Sequence, residues 1–307
     1  MKLNPDAQIE LNDSVIEETS RIFPVQPRSW SAVEEGIGNV VAKIVTSDND
    51  IVYAKYYNAA HAYEQIVDEA LLMGHISPQI APTPSIVPSE EHHAPIGLVH
   101  TQQKKHWVMM TRELPGSHPK TYSQTLVAQL AMAHAGIHAT SIKQGAGREL
   151  DISTDYRYAD TLQVSGAAAV EHTAQSYLED VTAASKLLPK GLAHLDIARG
   201  NVLVQDDVLT GIIDFEDTRI APYAFCLAGT IWDIQETTGD SSLASKYLEA
   251  YQEKRELTTL ESGMLDKLVF LRGWISLHGA LLTQGLDNVA LAKLDMLTAQ
   301  VPSPKSV

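Results

Sequence analysis

The segment HLDIARGN at positions 194–201 sets Asp196 five residues ahead of Asn201, and the apolar run VLV follows at once. A short loop running straight into a strand presents both polar side chains beside a sheet. The next β-rich run, LTGIID, ends on Asp214. These residue types suit phosphoryl transfer, in which the protein contributes positioning and neutralisation of phosphate charge more than covalent chemistry. Asp196 would orient an alcohol and accept its proton. The Asn201 side-chain oxygen and the Asp214 carboxylate are hard ligands suited to Mg2+ bridging the oxygens of a triphosphate. His194 is expected to brace the loop rather than to react.

The elements that would carry these residues fall into two stretches of different character. Residues 12–23, NDSVIEETSRIF, open with cap-forming side chains and space Val15, Ile16, Thr19 and Ile22 on one helical face. VVAKIV and IVYAKYY, separated by the turn cluster TSDND, predict an antiparallel hairpin. Helical spacing returns over 61–76, APTPSIVP is a proline-punctuated connection, and IGLVH and HWVMMTREL supply two more strands. ELPGSHP then breaks the pattern. Helical period dominates 122–142 and 167–188, and again near 241–256, 259–282 and 287–299, with LAHLDIARGNVLVQDDVLTGIIDF as the interruption. The expected class is α+β: a small N-terminal antiparallel β lobe with one helix over residues 1–111, binding nucleotide, and a larger, mainly helical lobe over 112–307 with the catalytic loop and acceptor site.

Composition narrows the class further. The 307 residues are 44% hydrophobic and 20% charged, as in ordinary globular proteins, and no apolar stretch approaches the roughly 18 residues of a membrane span. The opening MKLNPDAQIELNDSVIEE lacks the positive-then-apolar order of a secretory signal, so a cytoplasmic location is expected. A single cysteine, Cys226, excludes an internal disulfide framework and a multi-cysteine zinc site, and is expected as a small core hydrophobe. The twelve histidines show no HExxH or other compact ligand pattern, and His92 and His93 fall in a polar loop expected at the surface. A net charge of −15 disfavours nucleic acid and anionic lipid as partners; it suits a cationic substrate, or simply keeps the chain soluble.

Lys55 lies in the strand run VYAK, where its ammonium would act on α- and β-phosphates once a carboxylate fixes it. Glu69 shares a helical face with Ala62, Ile66 and Met73 and is the expected partner, with Glu64 as the alternative. Taken alone, a strand lysine is an exposed edge residue; its register with the later motifs reverses that preference.

Together these segments resemble the aminoglycoside phosphotransferase and choline kinase superfamily, whose catalytic loop has the form HxDxxxxN followed by a strand ending in IDF or IDW. The resemblance spans most of the chain and implies a bilobal, protein-kinase-like fold that uses ATP and Mg2+. It places Lys55 at the family's phosphate-binding lysine, and GIGNVVAKI, with Gly36 and Gly38, at the nucleotide-covering hairpin. HWVMMTRELPG resembles the interlobe hinge, where adenine would meet backbone groups from Met110 to Arg112. The acceptor would lie between the catalytic loop and the C-terminal helices, where Asp233, Glu236, Asp240 and Glu261 are candidates and Trp232 and Trp274 either border the pocket or pack the lobe.

The chain also departs from its relatives. Leu195 stands where many family members carry glycine and protein kinases carry arginine. Glu216 replaces the glycine of the protein-kinase DFG motif, and it and Asp217 are expected as solvated loop carboxylates. Cys226 stands near a position where the family usually has an aspartate that supports the catalytic segment. Only 18 residues separate Asp214 from Trp232, which leaves little room for a protein-kinase activation segment, so a small-molecule hydroxyl acceptor is expected. The leading expectation is γ-phosphoryl transfer to an aminoglycoside-like cationic acceptor. Homoserine, choline or another amino alcohol or sugar is the alternative. A nucleotide-binding pseudokinase is the rival of another class, and a metal-dependent hydrolase using His194, Asp196 and Asp214 would leave Lys55 and Asn201 without a role.

Overall fold

The computed structural model describes residues 9–302 apart from 34–38, 59–60, 77, 91–93, 102–103, 141, 143, 148 and 156–166. Gly36, Gly38, His92 and His93 therefore lie outside the described residues.

The chain opens on helix α1 (Asp13–Ile22), capped by the Asn12 side chain, which accepts the Val15 N–H. Its face of Val15, Ile16 and Thr19 is buried against an antiparallel sheet. The strands are β1 (Pro27–Val33), β2 (Val40–Thr46), β3 (Ile51–Tyr56), β4 (Ile86–Val87), β5 (Ile96–His100) and β6 (Lys105–Arg112). They run β1-β2-β3-β6, with β5 and then β4 on the far edge of β6. The strict alternation in β2 and β3 sends Ala42, Ile44, Val52, Ala54 and Tyr56 into the core beneath α1. By the same period of two, Tyr53 and Lys55 project from the opposite face.

Helix α2 (Tyr63–His75) follows β3, and its Ile66, Ala70 and Met73 join the main core rather than the core beneath α1. Past β6, Gly116 turns the chain with φ +110°; a Cβ there would meet the Val204 carbonyl at 2.6 Å, so the close approach requires glycine. The larger lobe contains α3 (Gln124–Ala139), a short α4 (Ile152–Asp155), α5 (Ala168–Ser185), α6 (Tyr223–Thr238), α7 (Ser241–Lys254), α8 (Thr259–Gln284) and α9 (Asn288–Gln300). Two small ribbons carry the catalytic segment: β7 (Lys190–Ala193) pairs with β10 (Arg219–Pro222), and β8 (Val202–Gln205) with β9 (Val208–Ile212).

The helical and hairpin expectations match these elements closely, and four strands were not foreseen. β1 alternates poorly, is mostly exposed and opens on proline, so it carries no period-two signal. β4, β7 and β10 are two to four residues long and exist only through their partners.

Candidate active site

A cleft of about 540 Å3 lies under the sheet, lined by Val41, Lys55, Met109, Asn201 and Asp214 among others. Lys55 Nζ stands 3.3 Å from Glu69 Oε1, 2.9 Å from Asp214 Oδ1 and 3.1 Å from Glu216 Oε2. Burial opposes the ammonium charge, but Glu69, Asp214 and Glu216 together outweigh it and hold the Lys55 pKa above its ordinary value. Glu69 is itself buried; loss of hydration pushes its carboxyl up, against the pull of Lys55 and a 2.8 Å hydrogen bond donated by Tyr57. Glu64 is exposed on the outer face of α2. Glu216 is not the freely solvated carboxylate expected: besides Lys55 it accepts from the Asn39 side chain, which ties the β2 hairpin to the segment after β9.

At the hinge, Arg112 lines the cleft, but the Met110 side chain is fully buried in the sheet core and points away from it. The Arg112 N–H is taken by the Ser85 carbonyl at 2.9 Å. Met109, Thr111, Glu113 and Leu114 line the cleft beside it. Alternation along β6 places the Met109 and Thr111 side chains on the cleft face and that of Met110 on the other, while the expectation for this hinge concerns backbone groups.

The catalytic loop connects β7 to β8 and is held from several sides. His194 Nε2 donates to the Ile213 carbonyl at 3.0 Å and Nδ1 accepts the Asp196 N–H at 3.3 Å, so the buried ring bridges the loop to the segment carrying Asp214. Burial lowers its pKa and keeps the imidazole neutral. Asn201 Nδ2 donates to Asp196 Oδ2 at 2.7 Å and to its carbonyl at 2.9 Å, which leaves the amide oxygen as the hard donor. Leu195 adopts φ +67° with its side chain buried, and Asp214 adopts φ +60°. The left-handed conformation at 195 explains why glycine suits this position; leucine holds it here at a strain cost of about 1–2 kcal/mol.

Asp196 opens onto a second pocket of about 400 Å3, also lined by Asp217, Arg219, Trp232, Glu236 and Arg272. Its side chain keeps 45% of its accessible surface and lines that pocket. Loss of hydration there, with Asp217 and Asp214 nearby, pushes the carboxyl up to about 6 against the opposing Arg272 guanidinium. Arg272 Nη2 donates to the Leu195 carbonyl at 3.1 Å and lies 4.0 Å from Asp196 Oδ1. Nothing in the sequence marked Arg272, because its chemistry arises from contacts made 76 residues away in the chain.

Of the acceptor candidates, Asp233 and Glu236 line this pocket and are already engaged. Asp233 accepts from the Tyr122 hydroxyl at 2.5 Å and the Arg199 N–H at 2.8 Å. Glu236 pairs with Lys293 and accepts from Trp232 Nε1 at 2.8 Å. Asp240 caps α7 through the Ser242 N–H, and buried Glu261 forms the capping box of α8 with Thr258 and an ion pair with Arg255; neither faces the pocket. Trp232 borders the pocket, whereas Trp274 is buried and packs on His278.

Cys226 is buried on α6, and burial pushes its thiol up to about 12 against the opposing effect of the Leu195 backbone. Cys226 also meets His134 and His138, a grouping that the sequence reading, which found no HExxH or other compact ligand pattern, did not mark.

A β lobe that brings Lys55 and Glu69 over a loop presenting Asp196, Asn201 and Asp214 is the architecture of kinase-like phosphotransferases. Residues 29–262 match the family model of the phosphotransferase enzyme family, and the chain belongs to that family. It is 32% identical over 110 residues to a homoserine kinase of Polaromonas naphthalenivorans, covering 33% of this chain and 35% of that protein. It is 33% identical over 101 residues to the homoserine kinase of Methylobacillus flagellatus, covering 30% and 31%. These alignments span about a third of the length of the curated relatives. Among solved structures, an amicoumacin kinase in complex with AMP-PNP, Ca2+ and Ami matches with a TM-score of 0.75 at 15% identity, over 95% of this chain and 93% of that one. A microcompartment-associated aminopropanol kinase gives 0.73 at 18% identity over 94% of both chains. An aminoglycoside phosphotransferase from Alicyclobacillus acidocaldarius gives 0.68 at 17% over 97% and 95%. At these identities the likeness shows the fold. Among the described residues no helix is long and apolar enough to cross a membrane.

Proposed function

We propose that this protein transfers the γ-phosphoryl group of ATP to a hydroxyl of a small amino alcohol, with homoserine-like zwitterions as the favoured class. The observation that carries the reading is the continuity of the site: Asn201 and Asp214 line the cleft beneath the sheet, and Asp196, hydrogen-bonded to Asn201, lines the adjoining pocket. The donor set fits a nucleotide with Mg2+: a lysine fixed by carboxylates, the Asp214 carboxylate and the Asn201 amide oxygen. When bound, that pair supplies the electrophilic phosphoryl group and the positive charge that screens it. Lys55 would hold phosphate oxygens, Asp214 and Asn201 the cation, and Asp196 the acceptor hydroxyl, whose proton it takes while ionised.

The acceptor class follows from charge. The carboxylates that made an aminoglycoside-like cation attractive are already engaged: Glu236 pairs with Lys293, and Asp233 accepts from the Tyr122 hydroxyl and the Arg199 backbone N–H. Arg219, which pairs with Asp217 at 3.5 Å, and Arg272, beside Asp196, bring two guanidinium groups to the same pocket, which suits a substrate carboxylate. The two homoserine kinases similar over a third of the chain support this class. An aminoglycoside-like acceptor is the second reading, favoured by the net charge of −15 and the chain-long likeness to an aminoglycoside phosphotransferase.

The test is Mg2+-dependent ADP release across homoserine, aminopropanol, choline, methylthioribose and aminoglycosides, with Asp196→Asn as control. Homoserine or a close analogue should stimulate turnover, and Asp196→Asn should lose roughly 10²–10⁴-fold while still binding nucleotide. Stimulation by aminoglycosides alone would overturn the acceptor class. Nucleotide binding without any turnover would make the protein a pseudokinase, and absence of nucleotide binding would remove the kinase reading altogether.

A further inference from the structure

Behind the catalytic loop, three side chains that neither pocket uses converge in the core of the larger lobe. His134 and His138 sit one turn apart on α3, a spacing that turns two imidazoles the same way. Cys226 faces them from α6. His134 Nε2 lies 3.1 Å from His138 Nε2 and 3.1 Å from Cys226 Sγ, and the three donor atoms all fall within 4.8 Å of one another. Each ring is oriented through its outer nitrogen: His134 Nδ1 is 2.5 Å from the Tyr247 hydroxyl, and His138 Nδ1 is 2.7 Å from that of Tyr251. Outer hydrogen bonds of this kind fix ring orientation and aim the inner nitrogen at a ligand.

We propose that His134, His138 and Cys226 form a buried site for a soft, low-coordinate cation, Cu+. Thiolate and imidazole donors select such ions. With metal–nitrogen bonds of about 2 Å, two nitrogens 3.1 Å apart subtend roughly 100° at the cation, a workable ligand angle. Burial keeps both rings in the neutral, ligating form, His134 being lowered to about 3 by loss of hydration with His194 and Arg255 adding to it. The Cys226 S–H bond breaks as the sulfur–copper bond forms and the proton leaves to solvent; no redox change is involved. One thiolate, two neutral rings and a monovalent cation leave no net charge in a site that water does not reach, near Arg255 and Arg272. A divalent ion would bury a positive charge there. Zinc also favours four ligands, and among the described residues no further His, Cys, Asp or Glu joins the group. The cation would tie α3 to α6.

The site has one alternative occupant, a proton shared between the two Nε2 atoms, and metal analysis separates them. The full chain is expressed with copper or with zinc supplementation, purified, and assayed for metal content, with X-ray absorption at the copper edge. The expected result is about one copper per chain, bound by two nitrogens and one sulfur at about 2.3 Å. Cys226 is the only cysteine, so that short sulfur scatterer identifies it even if variants fold poorly. Cys226→Ser and His138→Gln should each bring copper to background. Native folding of metal-free wild-type protein that takes up no Cu+ on anaerobic titration would overturn the proposal. So would stoichiometric zinc in place of copper, or copper retained equally by Cys226→Ser.

Discussion

Replacing Arg272 with glutamine should shift the acid limb of the pH–activity profile upward. Arg272 reaches the catalytic loop from α8, wedged beside Gly229, where a Cβ would meet its guanidinium at 2.8 Å, and stacked 5.0 Å over Phe225. Its charge lies 4.0 Å from Asp196 Oδ1 and opposes the forces that raise the Asp196 pKa. At that separation the attraction is about 1 kcal/mol in a water-like medium and about 4 kcal/mol at an effective dielectric constant of 20. Asp196 is nearly half exposed, so the lower part of that interval applies, about 1.4 kcal/mol or one pKa unit. The carboxyl would move from about 6 to roughly 7. Only ionised Asp196 can accept the acceptor proton, so activity falls as pH drops through its pKa. Near pH 8 both proteins are ionised; near pH 6 the ionised fraction falls from about one half to about one tenth, a loss of roughly fivefold. The assay is initial-rate ADP release at saturating Mg2+–ATP from pH 5 to 9. A limb that stays in place or moves down would refute the charge argument. A uniform loss at every pH would reduce Arg272 to a support for the Leu195 carbonyl.

Lys55→Met should lower stability as well as activity, because it strands Glu69, whose side chain is 3% exposed, without its counter-ion. Breaking a buried pair costs about 3–5 kcal/mol, and adding Glu69→Gln should recover much of it; urea unfolding of the single and double variants checks this, and equal midpoints would contradict it. Leu195→Gly sets two effects against each other. Relief of the left-handed conformation returns about 1–2 kcal/mol, whereas a lost buried leucine costs about 2–5 and the freer glycine backbone about 0.5–1 more. The variant should therefore be less stable by about 0.5–5 kcal/mol, and a raised unfolding midpoint would show that strain dominates.

Much of the fold was legible in the sequence, and for a physical reason. Helix and strand periodicities are local: the alternation in β2 and β3 by itself turns Lys55 away from the side of Ala54 and Tyr56, and the face of α2 that carries Ile66 and Met73 also carries Glu69. The spacing from Asp196 to Asn201 and the placement of Asp214 after the following strand are likewise short-range, so the proposed catalytic residues could be named before any packing was known.

What the chain could not show locally is which polar groups find one another. The exposed strand β1 and the short β4, β7 and β10 have no periodic signature and are defined by pairing with distant segments. An acidic side chain on or beside a helix gives no local sign of whether it caps, as Asp240 and Glu261 do, or lines a pocket, as Asp233 and Glu236 do. Arg272 at Asp196, Glu216 at Lys55, and Cys226 with His134 and His138 are contacts between residues far apart in the chain. Sequence determined the residue types and local faces from which the site is built. Tertiary structure decided which charges are paired, Lys293 on Glu236 and Arg272 beside Asp196, and the proposed acceptor class rests on those pairings.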